Sequence, residues 1–303
     1  MEVKENSNQT FYIGIDGGGT KCRAILTSSD GKVLGKGLGG PANPFYGVER
    51  ACNSIKEASV EAVVNAGLSI ETLKSVIAGV GLAGVNLPNL YQELSDWDNP
   101  FMQMYLTTDM DIANIGAHGE MHGAVIIIGT GSVGYVNTPN GQKMLGGYGF
   151  PISDIASGAW LGLKAIEHTL LVLDKFKHTS LLADKVCEFY QIKNGIELSN
   201  ELIGHASSQY AKIASLVFTC AAQGDEYALQ VIDDGINYIS RLARRLVNAE
   251  STRLCMIGGL AKYWRPQLDQ ETASYFSDVR QQPEFGAVKL AIQSWNEQKR
   301  KIA

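Results

Sequence analysis

The apolar and polar positions along the chain follow one pattern twice. Phe11, Ile13 and Ile15 alternate with other residues, as in a strand, and a glycine-rich turn, a second strand and a hairpin turn follow. The same order begins again at residue 123, where an apolar strand leads into the turn Gly129–Ser132. This repetition predicts an internal duplication, with two similar domains instead of an array of short repeats.

The period of the apolar residues also predicts the individual elements. Strands are expected at residues 11–15, 22–28, 32–38, 75–80, 101–107, 123–128, 133–137, 143–145 and 253–257. Helices are expected at residues 48–66, 89–97, 110–117, 159–173, 210–223, 226–249 and 284–297. Hairpin strands followed by strands that alternate with helices indicate an α/β protein with mixed sheets flanked by helices. We predict two domains, 1–118 and 119–303, and the last helix either stays with the second domain or packs back on the first.

Composition narrows the class of protein. The chain has 303 residues, of which 45% are hydrophobic and 19% are charged, so it can bury a large core. Its net charge of −5 argues against nucleic acid as a partner. The five cysteines form no C-x-x-C pair, the first ten residues lack an apolar signal segment, and no apolar run is long enough to span a membrane. We therefore expect a cytoplasmic protein with free thiols and no membrane partner.

Three glycine turns follow predicted strands, at Asp16–Lys21, Gly129–Ser132 and Gly258–Leu260. Glycines let backbone N–H groups face inward and form a concavity for phosphate. Asp16, at the strand end, is suited to hold a hydrated divalent cation beside that phosphate. Neither the Walker pattern nor the dinucleotide fingerprint is present. A single such turn is equally consistent with an ordinary hairpin, but three within a duplicated framework favour a nucleotide site.

Several segments carry a resemblance to a known family. They read G-I-D-G-G-G-T-K at 14–21, G-P-A-N-P at 40–44, T-T-D at 107–109, I-G-T-G-S at 128–132, G-G-Y-G-F-P-I-S-D at 146–154, S-G-A-W-L-G at 157–162, A-A-Q-G-D at 221–225 and I-G-G-L-A at 257–261. In this order the chain resembles the N-acetylglucosamine and glucosamine kinases grouped with the BadF/BadG/BcrA/BcrD-type ATPases, in the actin and hexokinase superfamily. The resemblance implies two RNase H-like domains with five-stranded sheets, ATP and Mg²⁺ in an interdomain cleft that closes to exclude water, and phosphorylation of the sugar 6-hydroxyl.

The resemblance also implies roles for single residues. Asp109 matches the catalytic base, and Asp16 would orient Mg²⁺ through water. The residues that match sugar contacts are Asn43, Asp109, Gly147, Tyr148 and Asp154. The residues that match ATP contacts are Gly18, Gly19, Thr20, Lys21, Thr130, Gly131, Ser132, Gly258 and Gly259.

Asp109, Asn43 and Asp154 each also allow a purely structural role. Asp109 could cap the following helix, with Asp111 as a rival acid inside that helix. Asn43 precedes a proline, which is ordinary turn chemistry. Asp154 could cap the helix that begins near Ser157. The segment after Gly149 also departs from the D-E-G-S of animal relatives, so contacts near Asp154 stay open.

Some sequence features and the function itself allow other interpretations. His118 and His122 flank Glu120, but glycines on both sides favour a loop over a metal site. Tyr263 and Trp264 fit packing better than nucleotide stacking.

N-acetylglucosamine is the expected sugar, with glucosamine as the alternative. From other classes, the rivals are an ATPase activator of a dehydratase and a sugar or nucleotide sensor without turnover. A homodimer through the helices near 210–249 is also open.

Overall fold

The structure, a computed structural model, describes residues 10–247 and 253–302. The strands are β1 (Phe11–Gly17), β2 (Cys22–Thr27), β3 (Val33–Gly39), β4 (Val76–Leu82), β5 (Gln103–Thr108), β6 (Gly123–Ile128), β7 (Ser132–Thr138), β8 (Gly141–Gly146), β9 (Leu254–Ile257) and β10 (Phe276–Ser277). The α-helices are α1 (Val48–Asn65), α2 (Pro88–Ser95), α3 (Asp109–His118), α4 (Gly158–Leu173), α5 (Leu181–Tyr190), α6 (Gly195–Asn200), α7 (Ser207–Ala211), α8 (Ala214–Ala222), α9 (Glu226–Val247), α10 (Ala261–Trp264), α11 (Gln270–Ser274) and α12 (Pro283–Ile302).

The chain divides into two compact units. The first holds the residues up to Gly123 together with those from Asp278 onward, and the second is the continuous stretch Ala124–Ser277. The predicted division, 1–118 and 119–303, differs from this at both ends of the second unit. The last helix, α12, lies with the first unit, so one unit is built from both ends of the chain.

Each unit contains a five-stranded mixed sheet, and the strand order is the same in both. The orders are β3-β2-β1-β4-β5 and β8-β7-β6-β9-β10. In the first sheet β1 is antiparallel to β2 and parallel to β4, and β4 is parallel to β5. In the second, β7 is antiparallel to β8 and β6 is parallel to β9. The predicted fold class, with duplicated mixed sheets, is confirmed.

One face of the first sheet packs against α1 through a row of glycines. Gly35, Gly37 and Gly39 alternate along β3 and face the backbone carbonyl groups of Ala62, Ala58 and Ser54. A Cβ atom on any of the three would collide with that carbonyl oxygen, so only glycine lets the helix and strand come this close.

The other face of the first sheet is covered by α12. A Cβ on Gly14 of β1 would collide with the carbonyl oxygen of Glu284, and one on Gly79 of β4 with that of Ala287. This close approach brings the first turn of α12 beside the carboxyl end of β1. Burial of Tyr12, Ile25, Ile77, Val288 and Ala291 forms the core between them.

The predicted strands are confirmed to within two residues at either end, but some helices differ. The predicted helix 210–223 is wrong, because the chain forms α7 and α8 with a break at Lys212–Ile213. The predicted helix 226–249 is observed as Glu226–Val247, and Ala249 lies outside the described residues. Among the described residues, none of the helices has the length and apolar character needed to cross a membrane.

Candidate functional site

The turn between β1 and β2 leaves backbone amide groups exposed. Gly18 donates its N–H to the carbonyl of Lys21 at 3.0 Å, and its own carbonyl accepts from Ala42 at 2.9 Å. Within the described chain, the amide groups of Gly19 and Thr20 donate no hydrogen bond, and a Cβ on Gly19 would meet nothing within 4 Å. This is an open concavity of N–H groups suited to an anion.

Asp16 lies at the carboxyl end of β1 directly before this turn. Arg23, its partner across the hairpin, contacts Oδ2 of Asp16 at 3.4 Å. Burial and the charge of Glu284 raise the pKa of Asp16 to about 6, and the Arg23 guanidinium opposes part of that shift. In addition, Oε2 of Glu284 is buried with no hydrogen-bond partner among the described residues. Asp16 thus has a second carboxylate, that of Glu284, acting on it against the cations Arg23 and Lys21.

Asp109 directly follows β5, which lies two strands away from β1 in the same sheet. Like Asp16, it is at the carboxyl end of its strand, where β5 leads into α3. The helix is capped by Thr108, whose hydroxyl accepts from the Asp111 N–H at 3.1 Å, so Asp109 is not the capping residue. The Asp109 carboxylate accepts the Met110 N–H at 3.0 Å. Burial, reinforced by the negative charge of Asp16, raises the pKa of Asp109 to about 6. The group is therefore a carboxyl poised to exchange a proton near neutral pH.

The rival acid Asp111 has a structural role. Its Oδ2 accepts hydrogen bonds from the hydroxyl groups of Thr107 at 2.6 Å and Thr108 at 2.8 Å. It is buried, whereas Asp109 is partly exposed. These contacts tie α3 to the end of β5 and leave Asp109 as the acid that a ligand could reach.

Asn43 lies close to the first turn, because Ala42 is bonded to Gly18. Its Oδ1 accepts the Phe45 N–H at 2.9 Å and lies 2.5 Å from the position of a Cβ on Gly84, where φ is +89°. The side chain therefore does form the turn that its proline neighbour predicts. Within the described residues its Nδ2 donates no hydrogen bond, so the same side chain keeps a donor for a ligand.

In the second unit, the turn after β6 is tied to the start of α4. The carbonyl of Gly129 accepts from Gly158 at 2.8 Å, and that of Thr130 from Ala159 at 3.1 Å. The hydroxyl of Ser132 donates to the Ile155 carbonyl at 2.7 Å. The turn is thus anchored on the helix by its carbonyl groups.

Asp154 lies against that turn. Its Oδ2 is 2.7 Å from the position of a Cβ on Gly131, and its Oδ1 accepts the Gly149 N–H at 3.3 Å. Its φ is +63°, and burial raises the pKa of its carboxyl group. The cap of α4 is Ser157, whose hydroxyl accepts from the Trp160 N–H at 3.1 Å, so Asp154 has no capping role.

Gly147 and Tyr148 belong to the same loop as Asp154. Gly147 has a φ of +71°, and the Tyr148 side chain is 70% exposed. The structure therefore brings these two residues, Asp154 and the turn Gly129–Ser132 together in the second unit.

The third glycine turn adjoins the same strand end. A Cβ on Gly258, where φ is +104°, would collide with the carbonyl of Ile128, which also accepts the Leu260 N–H at 3.1 Å. Gly259 has open space around it. Trp264 is fully buried, so the packing interpretation holds for that residue.

Sequence reasoning missed Arg23 and Glu284. Arg23 could have been found from the hairpin register, because it pairs directly with Asp16. No local signal points to Glu284, which reaches Asp16 only through the packing of α12. The segment His118 to His122 holds no metal-type cluster in the part of the chain that the structure describes, and Glu120 contacts Arg280 at 3.9 Å.

Comparison with known proteins finds relatives that are named as sugar kinases. The chain is 32% identical to a glucosamine kinase of Vibrio cholerae over 254 residues, covering 83% of this chain and 85% of that protein. It is 25% identical to an N-acetyl-D-glucosamine kinase of Dictyostelium discoideum over 264 residues, covering 79% and 80%. A crystal structure from Chromobacterium violaceum, described as a proposed N-acetylglucosamine kinase, superposes with a TM-score of 0.87 at 29% identity and covers 93% of this chain and 98% of that one.

A family model matches residues 13–285, which include all three glycine turns and every acid described above. The two five-stranded mixed sheets agree with the duplicated domains that the resemblance implies. The chain belongs to the BadF/BadG/BcrA/BcrD ATPase family.

Proposed function

We propose that this protein is an ATP-dependent amino-sugar kinase that transfers the terminal phosphoryl group of ATP to the 6-hydroxyl of N-acetylglucosamine. The observation that carries the proposal is Asp109, a partly exposed carboxyl group with a pKa of about 6. It lies at the carboxyl end of the strands in the first sheet, as do Asp16 and the turn Gly18–Lys21. The family, and relatives that are named as sugar kinases, support it.

Asp109 acts as the general base in this proposal. A sugar hydroxyl is a weak nucleophile, and a carboxylate with a raised pKa is ionised at neutral pH yet basic enough to accept its proton. As the hydroxyl oxygen forms its bond to the γ-phosphorus, the bond from that phosphorus to the bridging oxygen breaks, and ADP leaves. The proton passes to Asp109. The Nδ2 of Asn43 and the carboxylate of Asp154 hold other sugar hydroxyls, and Gly147 and Tyr148 adjoin the 2-substituent.

The glycine turns bind the nucleotide. In the first unit, the exposed amides of Gly19 and Thr20 suit phosphate oxygens, and Gly18 and Lys21 are assigned to the same phosphates through the turn that their own hydrogen bond closes. In the second unit, phosphate contacts are assigned to Thr130, Gly131 and Ser132. Gly258 and Gly259 are assigned to the adenosine, since the open space at Gly259 permits close approach of a ligand to backbone.

The residues at the end of β1 fit a Mg²⁺ ion. Burial, reinforced by the negative charge of Glu284, raises the pKa of Asp16 although Arg23 and Lys21 oppose the rise, and a bound cation would favour the ionised carboxylate. Asp16 is the residue proposed to hold it, through water. When bound, the ion neutralises charge on the phosphoryl oxygens.

Glucosamine is the second candidate substrate. The 32% identical relative from Vibrio cholerae is named a glucosamine kinase, which favours the free amine. Gly147 and Tyr148 are assigned to the 2-substituent, and an acetamido group and an ammonium group would meet the same exposed Tyr148 side chain.

A coupled ADP-release assay tests the proposal with N-acetylglucosamine, glucosamine, glucose and no sugar, each with Mg²⁺ and ATP. We expect ADP release that depends on an amino sugar, and phosphorus NMR should place the product phosphate on the 6-oxygen. The ratio of kcat/KM for the two amino sugars decides between the two substrates. ADP release that is equal without sugar would overturn the kinase proposal, and an iron chromophore in the purified protein would favour the dehydratase activator instead.

A further inference from the structure

The loop that carries Asp154 has an unusual backbone. It runs from Gly146 to Ala156 and joins β8 to α4. Asp154 and Ala156, at φ +63° and +68°, are two of the four non-glycine residues with positive φ in the part of the chain that the structure describes. Such a conformation is unfavourable for a residue with a Cβ, so surrounding contacts must hold it in place.

The C-terminal end of this loop is held by Trp264. The buried indole donates its Nε1–H to the carbonyl of Ala156 at 3.0 Å. The indole ring lies on Gly235 of α9, where a Cβ would collide with it. The helix therefore has a glycine at the place where the tryptophan needs room.

The N-terminal end of the loop meets the same helix one turn later. Tyr238 follows Gly235 by three residues and so lies on the same face of α9. Its hydroxyl group packs against Gly146, where a Cβ would collide with it, and φ at Gly146 is +70°. Helix α9 thus supports both ends of the loop, through Tyr238 directly and through Trp264 seated on Gly235.

We propose that Tyr238 is a positioning residue for sugar recognition, holding the first turn of the Gly146–Ala156 loop so that Tyr148 and Asp154 keep the geometry needed to bind the amino sugar. This inference rests on the proposed function. Tyr238 itself acts through the backbone at Gly146. Its hydroxyl sets how closely the loop can approach α9, and therefore where the loop side chains are held.

A double-mutant cycle tests this geometry without any ligand. Gly146→Ala introduces a Cβ that collides with the Tyr238 hydroxyl, and Tyr238→Phe removes that oxygen. We expect Gly146→Ala to speed amide hydrogen exchange across residues 146–156 by about tenfold, and by clearly less when Tyr238→Phe is also present. The matched control is Gly149→Ala, which has positive φ but meets no atom within 4 Å, so its effect should not depend on residue 238. An equal effect of Gly146→Ala in both backgrounds would overturn the contact.

Steady-state kinetics test the role in recognition. We expect Tyr238→Phe and Tyr238→Ala to raise the KM for the amino sugar by several-fold and by about tenfold or more, with the KM for ATP changed by less than about twofold. Tyr227→Phe is the control, since Tyr227 is a half-buried tyrosine of α9 that stacks on His168 instead.

The possible outcomes separate the two proposals. If sugar KM is unchanged in both Tyr238 variants, or rises together with ATP KM, the positioning role is wrong. If the wild-type protein phosphorylates no amino sugar, the proposed function fails while the hydrogen-exchange result still reports on the loop. Should Tyr238→Ala fail to fold, Tyr238→Phe decides, because it keeps the ring.

Discussion

The Oδ2 atom of Asp154 lies 2.7 Å from the position that a Cβ atom would take on Gly131. The glycine of the second turn is therefore what allows this carboxylate to sit beside the turn. Because the obstructing atom is the end of a side chain, a Cβ at this position would move Asp154 and leave the backbone in place.

Gly131→Ala should consequently displace Asp154 and raise the KM for the sugar about tenfold at saturating ATP. Gly129→Ala in the same turn meets nothing within 4 Å and should leave the KM for the sugar unchanged. Initial rates over a range of sugar concentrations measure both. Equal sugar KM values in the two variants would contradict the role assigned to Asp154.

Asp109→Asn should lower kcat by about 10²–10⁴-fold, because the amide cannot accept the proton of the sugar hydroxyl. The fold should persist, since an Asn Oδ1 can still accept the Met110 N–H. Asp111→Asn is the comparison. It disturbs the hydrogen bonds from Thr107 and Thr108, so it should lower Tm clearly and change kcat little. Activity of Asp109→Asn within a few-fold of wild type would show that the base lies elsewhere.

The pH dependence of kcat/KM should show an acidic limb with a midpoint at about pH 6, where Asp109 and the interacting Asp16, each with a pKa of about 6, titrate as a pair. The base works only when ionised, so activity should rise with pH through that value and then level off. Initial rates from about pH 5 to pH 8 measure the limb. A profile that is flat across this range would conflict with Asp109 as the base.

The contribution of Asp109 to stability should change with pH in the opposite direction. The folded-state pKa of Asp109 is raised above its unfolded value, so this contribution falls as pH rises from about pH 4 through about pH 6. At neutral pH the ionised group destabilises the fold by up to about 3 kcal/mol. Asp109→Asn should therefore raise Tm near pH 7.5 and change it little near pH 4. Calorimetry of the variant and the wild type at both pH values measures this, and a lower Tm of the variant at the higher pH would contradict it.

Asn43 allows its turn and ligand roles to be separated. Asn43→Asp keeps an oxygen that can accept the Phe45 N–H but removes the Nδ2 donor, so we expect a higher sugar KM with little change in Tm. Asn43→Ala removes both and should also lower Tm, by an amount corresponding to about 1 kcal/mol for the lost turn hydrogen bond. If Asn43→Asp binds sugar as well as wild type does, the residue serves the turn alone.

Asp16→Asn should raise the Mg²⁺ concentration needed for half-maximal rate by about tenfold or more, since one carboxylate of a sparse ligand set is lost. Binding of Mn²⁺ to the protein with ADP, followed by water-proton relaxation, gives a readout that does not depend on turnover. The Asp111→Asn variant is the control for removal of a nearby charge. Unchanged Mn²⁺ affinity in Asp16→Asn would remove Asp16 from the metal site.

The strands and the glycine turns can be predicted from the sequence because their signals are local. Alternating apolar residues and hairpin glycines act over a few neighbours, and the second copy of the pattern strengthens the first. The acids Asp16, Asp109 and Asp154 are each found at a strand end or beside a turn for the same reason. Their roles as ligands come from the family resemblance and are tested by the variants above.

The features of the structure that the sequence does not predict depend on contacts between residues far apart in the chain. The break between α7 and α8 has no glycine or proline to mark it, and it occurs where the carbonyl of Tyr210 packs against Gly162 of α4 so closely that a Cβ would collide. The strand β10 has only two residues, Phe276 and Ser277, too few for any periodicity. Glu284 approaches Asp16 only once α12 has packed on the first sheet.

The two-ended construction of the first unit has a consequence for how the protein is made. Ribosomal synthesis releases β1 to β5 long before α12, so the face of the first sheet that contains Gly14 and Gly79 is not covered by α12 until that helix has emerged. The second unit is one continuous stretch and has all its elements available earlier. The first unit, with its Asp16 and Asp109 carboxyls, therefore cannot complete its core until the whole second unit has been synthesised.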